Sequence, residues 1–169
     1  MIKTKLCDLL GVKYPIIQAG MGPFSNNQLC IATANAGVLG LLSTSGITSG
    51  NKEFQKDIYA HYAKTGGAEP EDDMETILRK VIRQTSDATK ASGGIFGLNV
   101  MVAAEMKEDA EKIVNTAIEL REEDPDLKER FKVIFTSAGD PVGWGDKIKG
   151  AGFKWLHVVP SVTGALRCQ

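Results

Sequence analysis

The stretch that decides the fold is Pro15-Ile-Ile-Gln-Ala-Gly-Met-Gly-Pro-Phe-Ser-Asn-Asn27, in which a short apolar segment leads through a glycine-bearing turn to a helix start. Its two isoleucines suit a buried strand. Gly20 and Gly22 allow backbone angles that other residues avoid, and Asn26 or Asn27 suits the cap of the following helix. Two interpretations of the turn stay open: a ligand-facing corner with main-chain N–H groups, or an ordinary tight strand-to-helix bend.

The chain beyond this corner repeats a pattern of strand, helix and strand. A run of small residues predicts a helix that ends at Gly37, a residue suited to a left-handed C-cap, and the apolar run at 38–42 predicts a strand buried on both faces. Further strands are predicted at 95–102, 131–137 and 153–161, and further helices at 74–82, 105–118, 142–150 and 162–168. About five strand–helix units indicate an α/β protein with a parallel sheet.

Two polar segments separate these elements. Residues 43–70 predict an inserted loop with at most one helix, and they follow a strand end, where active-site loops and lids commonly lie. The charged residues at 121–130, interrupted by Pro125, predict a surface connection. The acidic residues at 71–73 instead suit the start of the helix that follows them.

Five parallel strands fit either an open doubly wound sheet or part of an eight-stranded barrel. The glycine fingerprint of dinucleotide-binding folds is incomplete, because Pro23, Phe24 and Ser25 follow Gly20 and Gly22 in place of a third glycine. The sequence also lacks the Gly-Lys-Ser/Thr segment of a nucleotide-phosphate loop. These absences favour the barrel.

The composition of the 169 residues is that of an ordinary globular protein, with 43% hydrophobic and 24% charged residues. The 20 basic and 21 acidic side chains nearly cancel, which argues against nucleic acid or a membrane surface as a partner and favours a small-molecule substrate. The cysteines are scattered, and neither a signal-peptide core nor a membrane-spanning run is present. These features predict a cytoplasmic protein without a disulfide framework or a metal site.

Five short motifs at the predicted strand ends resemble, in the same order, the nitronate monooxygenase family, formerly called 2-nitropropane dioxygenases, and the related FMN-dependent enoyl-ACP reductases. The motifs are Pro15-Ile-Ile-Gln-Ala-Gly-Met-Gly22, Asn35-Ala-Gly-Val-Leu-Gly40, Phe96-Gly-Leu-Asn-Val100, Thr136-Ser-Ala-Gly-Asp-Pro141 and His157-Val-Val-Pro-Ser161. The resemblance extends from about residue 15 to the last residue.

The resemblance implies a TIM-type (β/α)8 barrel, truncated after about five β/α units, with residues 1–169 as the N-terminal part of a single FMN-binding domain. It implies an FMN-dependent oxidoreductase that oxidises alkyl nitronates with molecular oxygen. Two alternatives stay open. One is an FMN-dependent enoyl-ACP reductase-like protein, and the other is a non-catalytic half-barrel module completed by another chain or by a second copy in a homo-oligomer.

The same resemblance implies a set of cofactor-binding residues. They lie at or after strand ends and are Gly20, Met21, Gly22, Asn99, Ser137 and Gly139. The main chain of the glycine turn is expected to lie against the flavin ring. Asn99 is expected to hydrogen-bond to the flavin, because an amide on a rigid strand suits the ring's donors and acceptors. The alternative for Asn99 is a buried amide satisfied by neighbouring backbone.

The catalytic histidine of the family is expected in a Gly-Gly-His segment after the sixth strand, and the phosphate-binding loops after later strands. The sequence contains no Gly-Gly-His segment. We therefore expect no catalytic residue in this chain and no activity from the chain alone, which would leave a sheet edge unpaired. His157 does not fill the gap, because it lies within the fifth predicted strand, where a packed and hydrogen-bonded histidine is predicted.

Overall fold

A parallel sheet forms the centre of the computed structural model, which describes residues 2–22, 26–45, 47, 61, 65–69 and 71–169. The strands are β1 (Gly40–Ser43), β2 (Phe96–Met101), β3 (Phe131–Ser137) and β4 (Lys154–His157), and among the described residues they pair in the order β1-β2-β3-β4. Every pairing is parallel, so the carboxyl ends of the strands lie at one edge. The prediction of an α/β protein with a parallel sheet is confirmed.

Helices connect the strands. They are α1 (Lys5–Leu10), α2 (Asn26–Asn35), α3 (Met74–Lys90), α4 (Lys107–Glu123), α5 (Pro125–Arg130), α6 (Trp144–Gly150) and α7 (Val162–Leu166), with a 3-10 turn at Ala104–Met106. The predicted acidic start of α3 is confirmed, because the Asp73 carboxylate accepts a hydrogen bond from the Thr76 N–H at 2.8 Å. Hydrogen bonds from Thr76 lower the pKa of Asp73. The predicted insertion at 43–70 lies mostly outside the described residues.

The first predicted strand is reduced to a single parallel bridge between Ile17 and Leu39. The Gln18 N–H donates to the Leu39 carbonyl at 2.9 Å, and the Leu39 N–H donates to the Ile16 carbonyl at 3.1 Å. The next donor on β1, the Leu41 N–H, is bound at 2.8 Å by the side-chain Oε1 of Gln18. The side chain of Gln18 thus takes the place of a strand partner, and the main chain leaves the sheet after it.

The start of α2 differs from the prediction at Asn27. The helix begins at Asn26, and Gly37 behind its end has the predicted left-handed conformation, with φ of 88°. Asn27 is inside the helix and fully buried, and its Nδ2 donates to the Thr65 carbonyl and to Gln84 Oε1, each at 2.9 Å. The expectation that Asn27 caps the helix was therefore wrong, because its side chain joins α2 to α3 instead.

The two faces of the sheet are covered differently. On the outer face, Leu42, Leu98 and Ile134 belong to a large buried cluster that includes helix side chains such as Ile77 and Ile113. The inner face carries a smaller cluster made of Leu10, Val12, Leu39, Leu41, Ile95 and Val133. Among the described residues, α1 and the segment after it contribute to this inner cluster, while α2 to α6 do not. One helical layer outside and strand side chains inside are the arrangement of a barrel wall rather than a doubly wound sheet.

The segment at 121–130 is partly exposed, as a surface connection would be, but it is largely helical and its two arginines are buried. Arg121 lies in α4 and Arg130 ends α5, and both are buried. Pro125 begins α5, a position that suits proline because the first helical N–H has no intrahelical acceptor. The Arg121 guanidinium lies 4.4 Å from the centre of the Phe153 ring. The run of charged residues predicts exposed side chains, but both arginines are buried because each guanidinium donates to acceptors on distant parts of the chain.

Arg130 joins α5 to the end of α3. It donates to the Asp126 carboxylate at 3.0 Å, to the Thr89 hydroxyl at 2.6 Å and to the Ser86 carbonyl at 2.8 Å. Several acceptors offset the cost of burying a guanidinium, which is high for a charge without partners. The hydrogen bond from Arg130 holds the pKa of Asp126 at about 2.

The depressed pKa of Asp126 predicts a pH-dependent contribution to stability. The folded pKa lies below the unfolded value of about 4, so the contribution is complete above pH 4 and is lost as the pH falls towards 2. We expect Asp126→Asn to lower the free energy of unfolding by about 1 to 2 kcal/mol at pH 7 and by less at pH 3, as measured by urea denaturation.

The matched control for this prediction is Asp146→Asn, since the Asp146 side chain is 99% exposed. We expect the control to change the free energy of unfolding by less than about 0.5 kcal/mol at either pH. An equal loss at pH 7 and pH 3 for Asp126→Asn would contradict the assigned role of the carboxylate.

Candidate functional site

Polar side chains follow the apolar ones on the inner face where β1, β2 and β3 end. Ser43 is paired in register with Asn99, and Ser137 is paired with Met101. Because side chains alternate along a strand, Ser43 shares the inner face with Leu41. The carboxyl edge of the inner face therefore combines three uncharged polar side chains, from three neighbouring strands.

The structure brings Asn99 and Ser137 into contact. The Ser137 hydroxyl lies 3.2 Å from Nδ2 and 3.3 Å from Oδ1 of Asn99, so it can accept from one end of the amide or donate to the other. Asn99 is half-buried. An amide has two N–H donors and an oxygen with two lone pairs, and one hydroxyl cannot satisfy all of them. The amide therefore keeps hydrogen-bonding capacity for a ligand.

Gly20 and Gly22 lie directly over these strand ends. A Cβ atom on Gly20 would be 2.6 Å from the Cβ of Asn99, and one on Gly22 would be 3.1 Å from the Ser43 hydroxyl. Neither glycine has a left-handed φ, so the expectation that they supply unusual backbone angles was wrong. Their contribution is steric, because a side chain at Gly20 would push the loop off the strand ends. Met21 between them is 55% exposed.

The corner after β3 is equally tight. A Cβ atom on Gly139 would be 2.2 Å from the main-chain oxygen of Val102, just beyond β2. Ala138 has a φ of 58°, which residues other than glycine rarely adopt. The Val102 N–H donates to the Ser137 carbonyl at 2.8 Å. Gly139 thus allows the corner to pack against the end of β2 and so holds Ser137 in place.

His157 lies on the outer face and belongs to a different cluster. Its Nδ1 is 2.7 Å from the Thr136 hydroxyl, which also accepts a hydrogen bond from Trp155 Nε1 at 2.8 Å. The prediction of a packed, hydrogen-bonded histidine is confirmed. Because successive side chains of β3 point to opposite faces, Thr136 and its partner His157 are separated by the sheet from Ser137.

Sequence reasoning missed Ser43 and Thr44. Thr44 is 1% exposed, and both its N–H and its hydroxyl donate to the Asn99 carbonyl, at 3.1 Å and 3.0 Å. Both residues stand at the start of a segment rich in Ser, Thr and Gly that reads as a loop. The signal that distinguishes them is their position at the end of an apolar strand, at the edge where Asn99 also lies.

The described side chains gathered at this edge are uncharged. They are Met21, Ser43, Asn99 and Ser137. Together they offer hydrogen-bond donors, acceptors and a flexible thioether, but none titrates near neutral pH. Within the described ranges, no group of three or more His, Cys, Asp or Glu side chains is arranged to hold a metal ion. The described part of this edge is suited to orienting a polar ligand, and the side chains named here supply no acid or base near neutral pH.

Two further features of the described residues bear on function, namely the buried thiol of Cys30 and the character of the helices. Cys30 is fully buried, and burial raises the pKa of its thiol, so it is not a reactive thiolate. None of the described helices combines the length and apolar character required to traverse a bilayer.

The close approach of Gly20 to Asn99 predicts that one methyl group added at Gly20 lowers the stability of the fold. We expect Gly20→Ala to lower the free energy of unfolding by about 1 to 3 kcal/mol, because the added Cβ forces the loop or Asn99 to move. Gly150→Ala is the control, since a Cβ there meets nothing within 4 Å and the residue ends α6. Thermal unfolding of both variants measures the difference, and equal midpoints would contradict the contact.

Comparisons with known proteins place the chain in a family. A family model described as nitronate monooxygenase matches residues 3–166. Over 100 residues the chain is 32% identical to (3aS,4S,5R,7aS)-5-hydroxy-7a-methyl-1-oxo-octahydro-1H-indene-4-carboxyl-CoA dehydrogenase of Mycobacterium tuberculosis, a match that covers 52% of this chain and 27% of the relative. A dehydrogenase of the same name from Rhodococcus jostii is 43% identical over 47 residues, which cover 28% of this chain and 13% of the relative.

Solved structures agree with this placement. FabK from Thermotoga maritima superposes with a TM-score of 0.64 and 25% identity, over 98% of this chain and 40% of that chain. A mutant of the same protein gives a TM-score of 0.65 and 24% identity, over 99% of this chain and 42% of that chain. The chain thus spans less than half the length of these relatives, and its fold is similar to the corresponding part of the FabK TIM barrel. With the family model matching nearly its whole length, the chain belongs to the nitronate monooxygenase family.

Proposed function

We propose that this chain provides the flavin-orienting part of an FMN-dependent oxidoreductase that oxidises alkyl nitronates with molecular oxygen. The observation that carries the proposal is the Asn99 amide, which Ser137 contacts at the carboxyl edge of the inner face beneath the loop at Gly20. In barrel enzymes this edge is where catalytic and cofactor-binding residues lie. Family membership supports the same cofactor.

The donor set at this edge fits the chemistry of an isoalloxazine ring. The ring edge carries hydrogen-bond acceptors and an N–H group, which an amide side chain and main-chain N–H groups complement. Asn99 keeps donors and acceptors beyond its contact with Ser137. Met21 offers an exposed, polarizable thioether for contact with a flat ring. Asn99, Ser137 and the main chain of 20–22 would hold the ring, and Gly139 would shape the corner that carries Ser137.

The chemistry that FMN supplies when bound is electron transfer between an organic substrate and oxygen. The described residues bind and orient, since the side chains at the edge carry no group that titrates near neutral pH. Proton transfer from a nitroalkane needs a base, and His157 is bonded to Thr136 on the opposite face. We therefore propose that residues 1–169 alone do not turn over.

A second candidate function is an FMN-dependent, enoyl-ACP reductase-like activity. The observation that favours it is the identity of the named relatives, which are a carboxyl-CoA dehydrogenase and FabK, an enoyl-ACP reductase. Both names refer to acyl thioesters rather than to nitronates. Because each relative is covered over less than half of its length, the substrate has to be decided by assay.

Replacement of Asn99 tests the cofactor site. We expect Asn99→Ala to raise the dissociation constant for FMN by roughly threefold to tenfold, the effect of losing one hydrogen bond. Titration with FMN, followed by quenching of flavin fluorescence, measures this constant. Asn115→Ala is the matched control, because Asn115 is exposed on α4. Equal constants for the wild type and Asn99→Ala would remove Asn99 from the site.

Parallel assays separate the candidate functions. A full-length version that completes the barrel is expected to consume oxygen with propyl-2-nitronate, and residues 1–169 alone are not. Oxidation of NADH or NADPH that depends on crotonyl-CoA, without oxygen consumption on nitronate, would instead establish the thioester reductase. A stable assembly of defined mass that binds no flavin would favour a non-catalytic half-barrel module.

A further inference from the structure

Thr44 occupies an unusual position beside the candidate site. It follows the last residue of β1 and is 1% exposed, although it opens a polar segment. Its N–H donates to the Asn99 carbonyl at 3.1 Å, which continues the parallel ladder between β1 and β2. Its hydroxyl donates to the same carbonyl at 3.0 Å. Both lone pairs of this oxygen are therefore occupied by one residue.

The second hydrogen bond is not required by the sheet. A carbonyl within a parallel ladder accepts one N–H, and the next strand supplies it. The added hydroxyl bond restrains the peptide group of Asn99 against rotation. Because the Asn99 side chain projects from the Cα atom next to that carbonyl, the restraint also fixes the direction in which the amide projects.

Asn99 has little space in which to adjust. A Cβ atom on Gly20 would be 2.6 Å from the Cβ of Asn99, so the loop already touches this side chain. On the other side the amide contacts Ser137. A small rotation of the Asn99 peptide would therefore disturb both the loop and the serine contact.

We propose that Thr44 is a positioning residue of the flavin site, in which its hydroxyl holds the Asn99 peptide and thereby orients the Asn99 amide towards the flavin. The inference rests on the proposed function. Side-chain alternation along β1 places Ser43 on the inner face and the Thr44 side chain on the outer face. Thr44 acts through the main chain of Asn99 and does not contact the ligand.

The test compares two threonine-to-valine substitutions in the 169-residue chain. Thr44→Val removes the hydroxyl and keeps the shape and the main-chain N–H. Thr85→Val is the control, because Thr85 is fully buried in α3 and its hydroxyl donates to the Val81 carbonyl at 2.8 Å. Both variants lose a hydroxyl hydrogen bond to a main-chain carbonyl, so we expect losses of stability of the same order.

The two variants are expected to differ in FMN binding. Thr44→Val should raise the dissociation constant for FMN by roughly threefold to tenfold, shift the visible absorbance of bound FMN, and shift the side-chain amide signals of Asn99 in the flavin-free chain by NMR. Thr85→Val should leave all three unchanged. Thr44→Ser, which keeps the hydroxyl, should restore the wild-type values, and Thr44→Ala replaces the valine variant if that variant does not fold.

Each possible result of the binding measurements either supports or contradicts the proposed role of Thr44. An unchanged dissociation constant in Thr44→Val, or an equal loss in Thr85→Val or Thr44→Ser, overturns the role of the Thr44 hydroxyl while the proposed function stands. Failure of the wild-type chain to bind FMN overturns the inference, which requires flavin at this edge, whereas the proposed function falls if a full-length version that completes the barrel also binds no FMN. A loss confined to Thr44→Val or Thr44→Ala, with rescue by serine, supports both.

Discussion

The parallel register of β2 between β1 and β3 is the constraint on which the other features depend. Leu98 and Val100 of β2 pack into the outer cluster, while Asn99 between them faces the inner side and contacts Ser137. A slip of one residue would exchange these faces. It would bury the Asn99 amide in an apolar cluster, at a cost of roughly 1 to 3 kcal/mol without a partner, and would remove Leu98 and Val100 from the outer cluster.

The two ends of the sheet are held by different means. At the amino end, Arg121 donates to the Ala151 carbonyl ahead of β4, and Arg130 donates to the Gly94 carbonyl ahead of β2. At the carboxyl end the contacts are made by uncharged groups and by the main chain near Gly20. Buried arginines thus stabilise the amino end, and uncharged polar groups line the carboxyl end. In barrel folds the amino-terminal face likewise contributes to stability, while the carboxyl-terminal face carries the active site.

The sequence alone determined most of the elements, their order and the family. Apolar runs and helical periodicity predicted β1, β2, β3 and α3, since period and length are local properties of the chain. The resemblance of the motif around Asn99 to the family predicted the candidate site residues, and parallel strands place their carboxyl ends together whatever their lengths. The packing of His157, with its hydrogen bond to Thr136, was predicted from its place within a strand.

Only the tertiary structure decided how those elements meet. In the structure, the first predicted strand is a single bridge that the Gln18 side chain completes. The charged segment at 121–130 contains two buried arginines. Gly20 allows close packing and does not have an unusual φ. The tertiary structure also brought Thr44 to the Asn99 carbonyl across 55 positions of sequence. Each depends on contacts between residues far apart in the chain, and local patterns of hydrophobicity and charge carry no information about such partners.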